Sequence, residues 1–318
     1  MKAVLCEQLG SPKNLVIRDL DSPSPGAGEV KVALKARGVS YVDVLLIAGQ
    51  YQVKRELPFI PGSEAAGVVV EVGDGVESVR PGDRVLTPGG FAEEAVVAAS
   101  DVIRLPDTVP FNTAAAFKSN YTTAYYGLQR GRLKAGEVLL IHGAAGGVGL
   151  AAVDMGKLFG ATVIATASTD EKLAVCKQMG ADHVINYTEG FREQVRALTG
   201  GRGADVIYDP VGGDVFDESM RCIAPYGRLL IVGFTGGRPA LAKTNHVLIK
   251  DAEVIGFTIG ALSRHDPAWA KRNVEHLMGW LSSGRISPYV SHALPLEQAA
   301  EALQLIIDRQ VIGKAVLV

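Results

Sequence analysis

Val138-Leu139-Leu140-Ile141-His142-Gly143-Ala144-Ala145-Gly146-Gly147-Val148-Gly149 decides the fold: a short apolar strand runs into a turn of small residues that opens a helix. Ala144, Gly146 and Gly149 occupy the G-x-G-x-x-G spacing, with alanine at the first position. Small residues let the backbone approach a pyrophosphate closely. The helix N-terminus then offers unpaired N–H groups and a partial positive charge. A glycine motif alone is weak evidence, but here the strand and helix signals stand on both sides of it. The turn therefore reads as dinucleotide-binding, with Ala145, Gly146, Gly147 and Val148 as the cradle; a purely structural strand–helix turn is the alternative.

Outward from this turn the chain alternates strand and helix. Val148–Phe159 has helical periodicity and stops at Gly160. Thr162–Ala167 is β-branched and apolar, and Asp170–Met179 is helical up to Gly180. His183–Tyr187, Asp205–Tyr208 and Leu229–Val232 read as buried strands, with Glu253–Ile259 as a sixth. Continuous apolar strands alternating with helices predict a doubly wound parallel sheet covered on both faces, an α/β architecture.

The second strand bears on which dinucleotide binds. NAD-selective folds place an acid near its end, about twenty residues past the turn, to bind the ribose 2′-hydroxyl. Ala167 stands there, followed by Ser168, and Lys172 lies one helical turn on. No carboxylate repels a 2′-phosphate, Lys172 can reach one, and Tyr187 at the end of the third strand is a second candidate. NADPH is favoured; NADH held by Asp170 or Glu171 is the competing reading.

Before residue 115 the pattern differs. Val30–Ala36 alternates with period two, Ala65–Val72 is apolar and ends at Gly73-Asp74-Gly75, and Arg80-Pro81-Gly82-Asp83 is a turn into another strand. Short strands at roughly ten-residue spacing predict a barrel or sandwich. The tail reads as a helix over Trp269–Ser282, a second helix from Pro295 to about Asp308, and a last strand at Lys314–Val318.

The bulk properties narrow the function. The 318 residues suggest about two domains at ~150 residues each. A balance of 32 basic to 34 acidic residues excludes a protein that coats nucleic acid. With 47% apolar and 21% charged residues, the chain has enough apolar material for two cores and is not expected to be disordered. No apolar run approaches the ~18 residues of a membrane helix, and the first residues do not read as a signal peptide. Cys6, Cys176 and Cys222 are scattered, which argues against a disulfide framework and for a reducing, cytoplasmic setting.

Several motifs together resemble the medium-chain dehydrogenase/reductase superfamily, in its zinc-independent quinone oxidoreductase (zeta-crystallin-like) branch. They are Gly38-Val39-Ser40-Tyr41-Val42-Asp43, Gly49-Gln50-Tyr51, Pro61–Gly67, Val79–Val85, Asn120–Tyr125, the Gly143–Gly149 turn and Gly313–Leu317. The resemblance covers essentially the whole chain. It implies a GroES-like β-barrel catalytic domain from residues 1–118 and 263–318, a Rossmann NADPH-binding domain at 119–262, and a cleft where they meet. It also implies a homodimer, with the strand near Glu253–Ile259 as the expected edge.

Zinc relatives carry Cys, His and Cys where this chain has Ser40, Ser63 and Ser119; serines are poor zinc ligands, and none of the six histidines pairs with another at ligand spacing. No metal is expected. Without a Lewis acid, hydride transfer to a quinone or enone is the easier chemistry, because conjugation spreads the charge left behind. The resemblance makes Tyr51 the candidate proton donor and gives Ser40 a part in orienting the acceptor. It sets Thr123, Gly233 and Phe234 near the nicotinamide and Arg309 at the 2′-phosphate. The competing functions are an enoyl reductase for enones, enals or acyl-CoA thioesters, with Lys54-Arg55 meeting the thioester's phosphates, and a non-catalytic NADPH-binding protein.

Overall fold

A computed structural model describes residues 1–318. The strands run, in chain order, β1 (Lys2–Cys6), β2 (Leu15–Asp19), β3 (Glu29–Val39), β4 (Ala65–Val72), β5 (Arg84–Thr87), β6 (Glu94–Ala98) and β7 (Ile103–Arg104). Next come β8 (Val138–Ile141), β9 (Thr162–Ala167), β10 (His183–Asn186), β11 (Ala204–Asp209), β12 (Ile223–Ile231) and β13 (Glu253–Gly256); β14 (Val290–Leu294) and β15 (Lys314–Leu317) close the series. The chain forms two compact units, Met1–Lys118 with Pro288–Val318, and Ser119–Ser287.

The first unit is a GroES-like β structure. Its sheet has the order β14-β15-β3-β4-β5-β7, with β6 also paired to β3. The long strand β3 organises it. Glu29–Ala33 pairs antiparallel with β6, Arg37–Val39 pairs with β15, and β4 runs along much of its length with two register shifts. Alternate residues Val30, Val32 and Leu34 bury into a core with Ala65, Val69 and Val85, as the period-two pattern predicts. A second core joins the two ends of the chain: Val4, Cys6, Val39 and Phe91 pack with Leu303, Ala315 and Leu317.

The second unit carries a parallel six-stranded sheet in the order β10-β9-β8-β11-β12-β13. Counted from β8, this is the 3-2-1-4-5-6 order of the Rossmann fold. β11 is buried along its whole length, as expected for a strand covered by helices on both faces. β12 is longer than the Leu229–Val232 expectation. It starts at Ile223 and runs through Pro225-Tyr226-Gly227, where Tyr226 takes a left-handed φ of 60° and projects into solvent.

Residues 263–287, expected with the N-terminal segment, cluster instead with the parallel-sheet unit. The helix Pro267–Ser282 packs on the helix Lys118–Arg130 through Tyr126 on Trp269, Tyr125 on Trp280 and a reciprocal Gln129–Asn273 amide pair. These aromatic and amide contacts hold the segment, and the return to the first unit falls at Pro288. The helices Thr244–Lys250 and Ile259–His265 have no counterpart in the sequence reading.

Candidate active site

The turn after β8 has the geometry that its small residues require. Gly143 adopts φ 53°, and Gly146 caps the helix Gly147–Leu158 in an extended conformation. The first helical hydrogen bond runs from Leu150 N–H to the Gly146 carbonyl at 2.8 Å. The N–H groups of Gly147, Val148 and Gly149 therefore stand ahead of the ladder, as an anion site needs. No protein acceptor takes the Ala145 N–H, while Ala144 N–H donates to the Thr166 carbonyl at 3.0 Å and ties the turn to β9. A Cβ on Gly149 would lie 2.4 Å from the Gly143 carbonyl oxygen; one on Gly147 would lie 2.6 Å from the Asn120 amide nitrogen. Both glycines mark close approaches that a side chain would block.

The helix is anchored further along the same face. Gly147 and Asp154 are seven residues apart, two helical turns, and Tyr121 O–H donates to Asp154 Oδ2 at 2.7 Å. Ser287 N–H donates to the same oxygen at 2.9 Å. Burial pushes the Asp154 carboxyl up from its usual range, while both hydrogen bonds pull it down.

Within this unit the structure brings the cofactor candidates to one edge, the C-terminal ends of adjacent parallel strands. β8 ends in the Ala145–Val148 turn, β9 in Ala167 and Ser168, β10 at Tyr187 and β12 just before Gly233 and Phe234. Ligands of doubly wound sheets bind at that edge, where the strand order reverses; here the reversal lies between β8 and β11. Lys172 stands in the first turn of the helix Asp170–Gln178, its N–H capped by Thr169 Oγ1 at 3.3 Å. Tyr187 is half-buried against the core. Thr123 donates its hydroxyl proton to the Ser119 carbonyl at 2.7 Å.

The loop after β11 supports this edge and has no role in the sequence reading. Buried Asp209 accepts the N–H groups of Val211 and Gly212 at 2.8 and 2.9 Å. Thr235 N–H and Gly236 N–H then donate to the carbonyls of Pro210 and Val211, each at 3.0 Å, so the Phe234 loop is bound to the Asp209 loop. The signal in the sequence was Asp209-Pro210-Val211-Gly212-Gly213, a turn cluster directly after a strand.

The remaining candidates belong to the first unit. Ser40 precedes and Tyr51 follows the helix Tyr41–Ile47; both are half-buried. Gln50 and Tyr51 N–H both donate to the Leu45 carbonyl, at 2.8 and 3.1 Å, and the Tyr51 hydroxyl makes no hydrogen bond within the protein. Lys54 and Arg55 are exposed. Arg309 sits at a left-handed φ of 57° just past the helix Ala299–Ile307.

His142, at the foot of the turn, is a core residue. Its Nε2 lies 2.8 Å from Ser219 Oγ, which gives its own proton to the Val215 carbonyl at 2.6 Å; its Nδ1 lies 3.0 Å from Thr166 Oγ1. Ser219 must accept, so Nε2 carries the imidazole proton and Nδ1 accepts from Thr166. Burial pushes the His142 pKa down from 6.5 to about 3. The folded protein holds this imidazole neutral where the unfolded chain takes a proton. Its contribution is complete above pH 6.5 and is lost as pH falls towards 3, at up to about 1.4 kcal/mol per pH unit. Urea unfolding at pH 7 and pH 5 should show that slope, and His142→Gln should flatten it by about one proton. An unchanged slope in the variant would remove His142 as its source.

A parallel sheet in this order, with a phosphate-type cradle at its switch point, defines a dinucleotide-binding domain of the Rossmann class. Residues 26–107 match the family model described as alcohol dehydrogenase GroES-like domain, and residues 147–275 match zinc-binding dehydrogenase. The quinone oxidoreductase-like protein 2 homolog of Nematostella vectensis is 40% identical over 99% of this chain and 88% of its own length. The 2-haloacrylate reductase of a Burkholderia species is 34% identical over 99% of this chain and 98% of its own. Escherichia coli quinone oxidoreductase, solved in complex with NADPH, superposes with a TM-score of 0.91 over 100% of both chains at 29% identity. The chain belongs to the medium-chain dehydrogenase/reductase superfamily, among its quinone oxidoreductase-like members, and is an oxidoreductase.

The second family description implies zinc, and the residues present do not fit it. Ser40, Ser63 and Ser119 are neutral oxygens, and the Ser40 hydroxyl is already engaged with Asp43 at 2.8 Å. No group of three or more His, Cys, Asp or Glu side chains is arranged to hold a metal ion. The cradle, by contrast, suits a dinucleotide.

Proposed function

We propose that the protein is a zinc-independent reductase that uses NADPH to reduce a quinone. The observation that carries this reading is the cradle at Gly143–Gly149 beside a second strand that ends on Ala167. Ala145–Val148 hold the pyrophosphate through backbone N–H groups. Ser168, Lys172, Tyr187 and Arg309 take the 2′-phosphate, which the missing carboxylate leaves unopposed. When bound, the reduced nicotinamide supplies a hydride. Gly233, Phe234 and Thr123 orient its ring; because Thr123 gives its proton to Ser119, it meets the ring as an acceptor. Tyr51, whose hydroxyl is otherwise unpartnered, gives a proton to the acceptor oxygen, so that hydride and proton together make the hydroquinone. No helix is long and apolar enough to cross a membrane, and three buried free cysteines support the reading that this reduction takes place in the cytoplasm.

A second reading has its own support. The Burkholderia relative's name describes reduction of an activated carbon–carbon double bond. An enone or enal accepts hydride by the same logic, with the charge delocalised onto a carbonyl oxygen.

One assay separates these readings: NADPH oxidation, with NADH in parallel, against a quinone, an α,β-unsaturated ketone and crotonyl-CoA, with and without chelator. We expect quinone turnover that chelator leaves unchanged and that favours NADPH by at least about tenfold, equivalent to ~1.4 kcal/mol. Preference for the enone or crotonyl-CoA would make the protein an enoyl reductase. Preference for NADH would overturn the roles of Ala167 and Lys172, and chelator sensitivity would overturn zinc independence.

A further inference from the structure

Four charged side chains are buried in the first unit: Asp43, fully, with Arg37, Glu64 and Lys314 at 4%, 5% and 4% exposure. Lys314 Nζ lies 3.8 Å from Glu64 Oε2. A Cβ on Gly38, two residues before Ser40, would lie 3.0 Å from Lys314 Cε. The Arg37 guanidinium is spent on the Ala92 and Leu34 carbonyls, at 2.7 and 3.0 Å. Buried charges contribute little net stability, so the other three, two acids and one base close to Ser40, call for another explanation.

The bonds around Ser40 supply it. Asp43 Oδ2 accepts both the Ser40 backbone N–H and the Ser40 hydroxyl, each at 2.8 Å. Ser40 and Asp43 form a capping box. The Asp43 N–H also donates to the Ser40 carbonyl at 3.1 Å, and the hydroxyl turns its proton inward to Asp43, which leaves a lone pair on Oγ. Burial pushes the Asp43 carboxyl up; the Ser40 bonds, Lys314 and the Gly62 backbone N–H push it down. Oδ1 makes no well-formed hydrogen bond, so the carboxyl directs its hydrogen bonding at Ser40 through one oxygen. Oδ2 accepts the Ser40 N–H whether or not the carboxyl carries a proton.

A serine hydroxyl has one proton and two lone pairs. With the proton committed to Asp43, the half-buried Oγ can only accept from outside. Facing a quinone carbonyl it would set lone pair against lone pair; facing a hydroxyl or a water it makes a good hydrogen bond. We propose that Asp43 is a positioning residue that fixes Ser40 as an acceptor, so that Ser40 orients the hydroxyl or water delivering the proton rather than bonding the oxygen being reduced. This rests on the quinone-reductase reading above. Glu64 and Lys314 hold the charge balance behind the pair.

The test is a mutant cycle with kcat, quinone KM and NADPH Kd measured for each protein. Asp43→Ala should lower kcat about 10- to 100-fold, the cost of a misplaced reacting group, with NADPH Kd unchanged within about twofold. Asp43→Asn keeps an acceptor oxygen for both Ser40 bonds and should restore most of the rate. In a Ser40→Ala background, Asp43→Ala should cost nothing further. Additive losses, or wild-type kcat in Asp43→Ala, would overturn the proposal. If Asp43→Ala does not fold, Ser40→Ala decides alone, because wild-type kcat in that variant is equally fatal. A wild-type protein that binds NADPH but reduces no acceptor overturns the reading itself and this inference with it; wild-type turnover with a failed cycle overturns the inference only.

Discussion

Tyr51→Phe should lower kcat for quinone reduction by about 100-fold or more, the range of a positioned general acid, with NADPH affinity unchanged. Removing one oxygen tests proton donation and little else. The ring is held by its backbone: Gln50 and Tyr51 N–H close on the Leu45 carbonyl, and Gly49 supplies the left-handed turn at φ 68° that lets the chain reverse there. Phenylalanine keeps these constraints, so packing and stability should barely change. The hydroxyl has no partner within the protein, so its loss leaves no donor or acceptor stranded. Equal turnover by Tyr51→Phe would make this ring a wall of the pocket and pass proton delivery to solvent.

Gly149→Val should weaken NADPH binding by about 100-fold or more, near 3 kcal/mol, and destabilise the fold by roughly 1–3 kcal/mol through overpacking. Its Cβ would meet the Gly143 carbonyl oxygen at 2.4 Å and the Ala144 Cα at 2.7 Å. These are backbone atoms and cannot turn aside as a flexible side chain can. The turn must open, and the N–H groups that aim at the pyrophosphate move with it. Gly279→Ala is the matched control, since a Cβ there meets nothing within 4 Å and the residue lies inside a helix, where alanine is favoured. Isothermal titration with NADPH reads both variants. Tight binding by Gly149→Val would show that the cradle tolerates a shifted turn and would remove the Gly143–Gly149 turn as its basis.

The parallel-sheet unit was largely legible in the sequence because its strands are local and apolar. β9 falls on the expected Thr162–Ala167, and β8 and β10 each end one residue sooner than their patterns suggest. Long-range features were harder to read. The residues 263–287 read as tail because periodicity shows that Trp269–Ser282 is helical without showing what it packs on; its attachment depends on Tyr125, Tyr126 and Gln129, more than a hundred residues away. The Asn120–Tyr125 motif gives Asn120 no role in the sequence, whereas in the fold its amide lies against Gly147. Asp43 was hidden for a similar reason. An acid three residues after a serine reads as a surface cap, and only the burial of Glu64 and Lys314 beside it shows otherwise.

The pairing of β3 with β15 also bears on how the protein is made. The partners of Arg37, Gly38 and Val39 are Leu317, Val316 and Ala315. At a ribosomal rate of about 10 residues per second, β3 waits on the order of half a minute for that neighbour. The parallel-sheet unit is built from Ser119–Ser287, all made before β15, so it can assemble while the N-terminal sheet still exposes a strand edge. An unpaired edge of this kind invites pairing with another nascent chain. Biosynthesis, more than the finished fold, is where this protein is most exposed to aggregation, and slower translation beyond Ser287 lengthens that exposure.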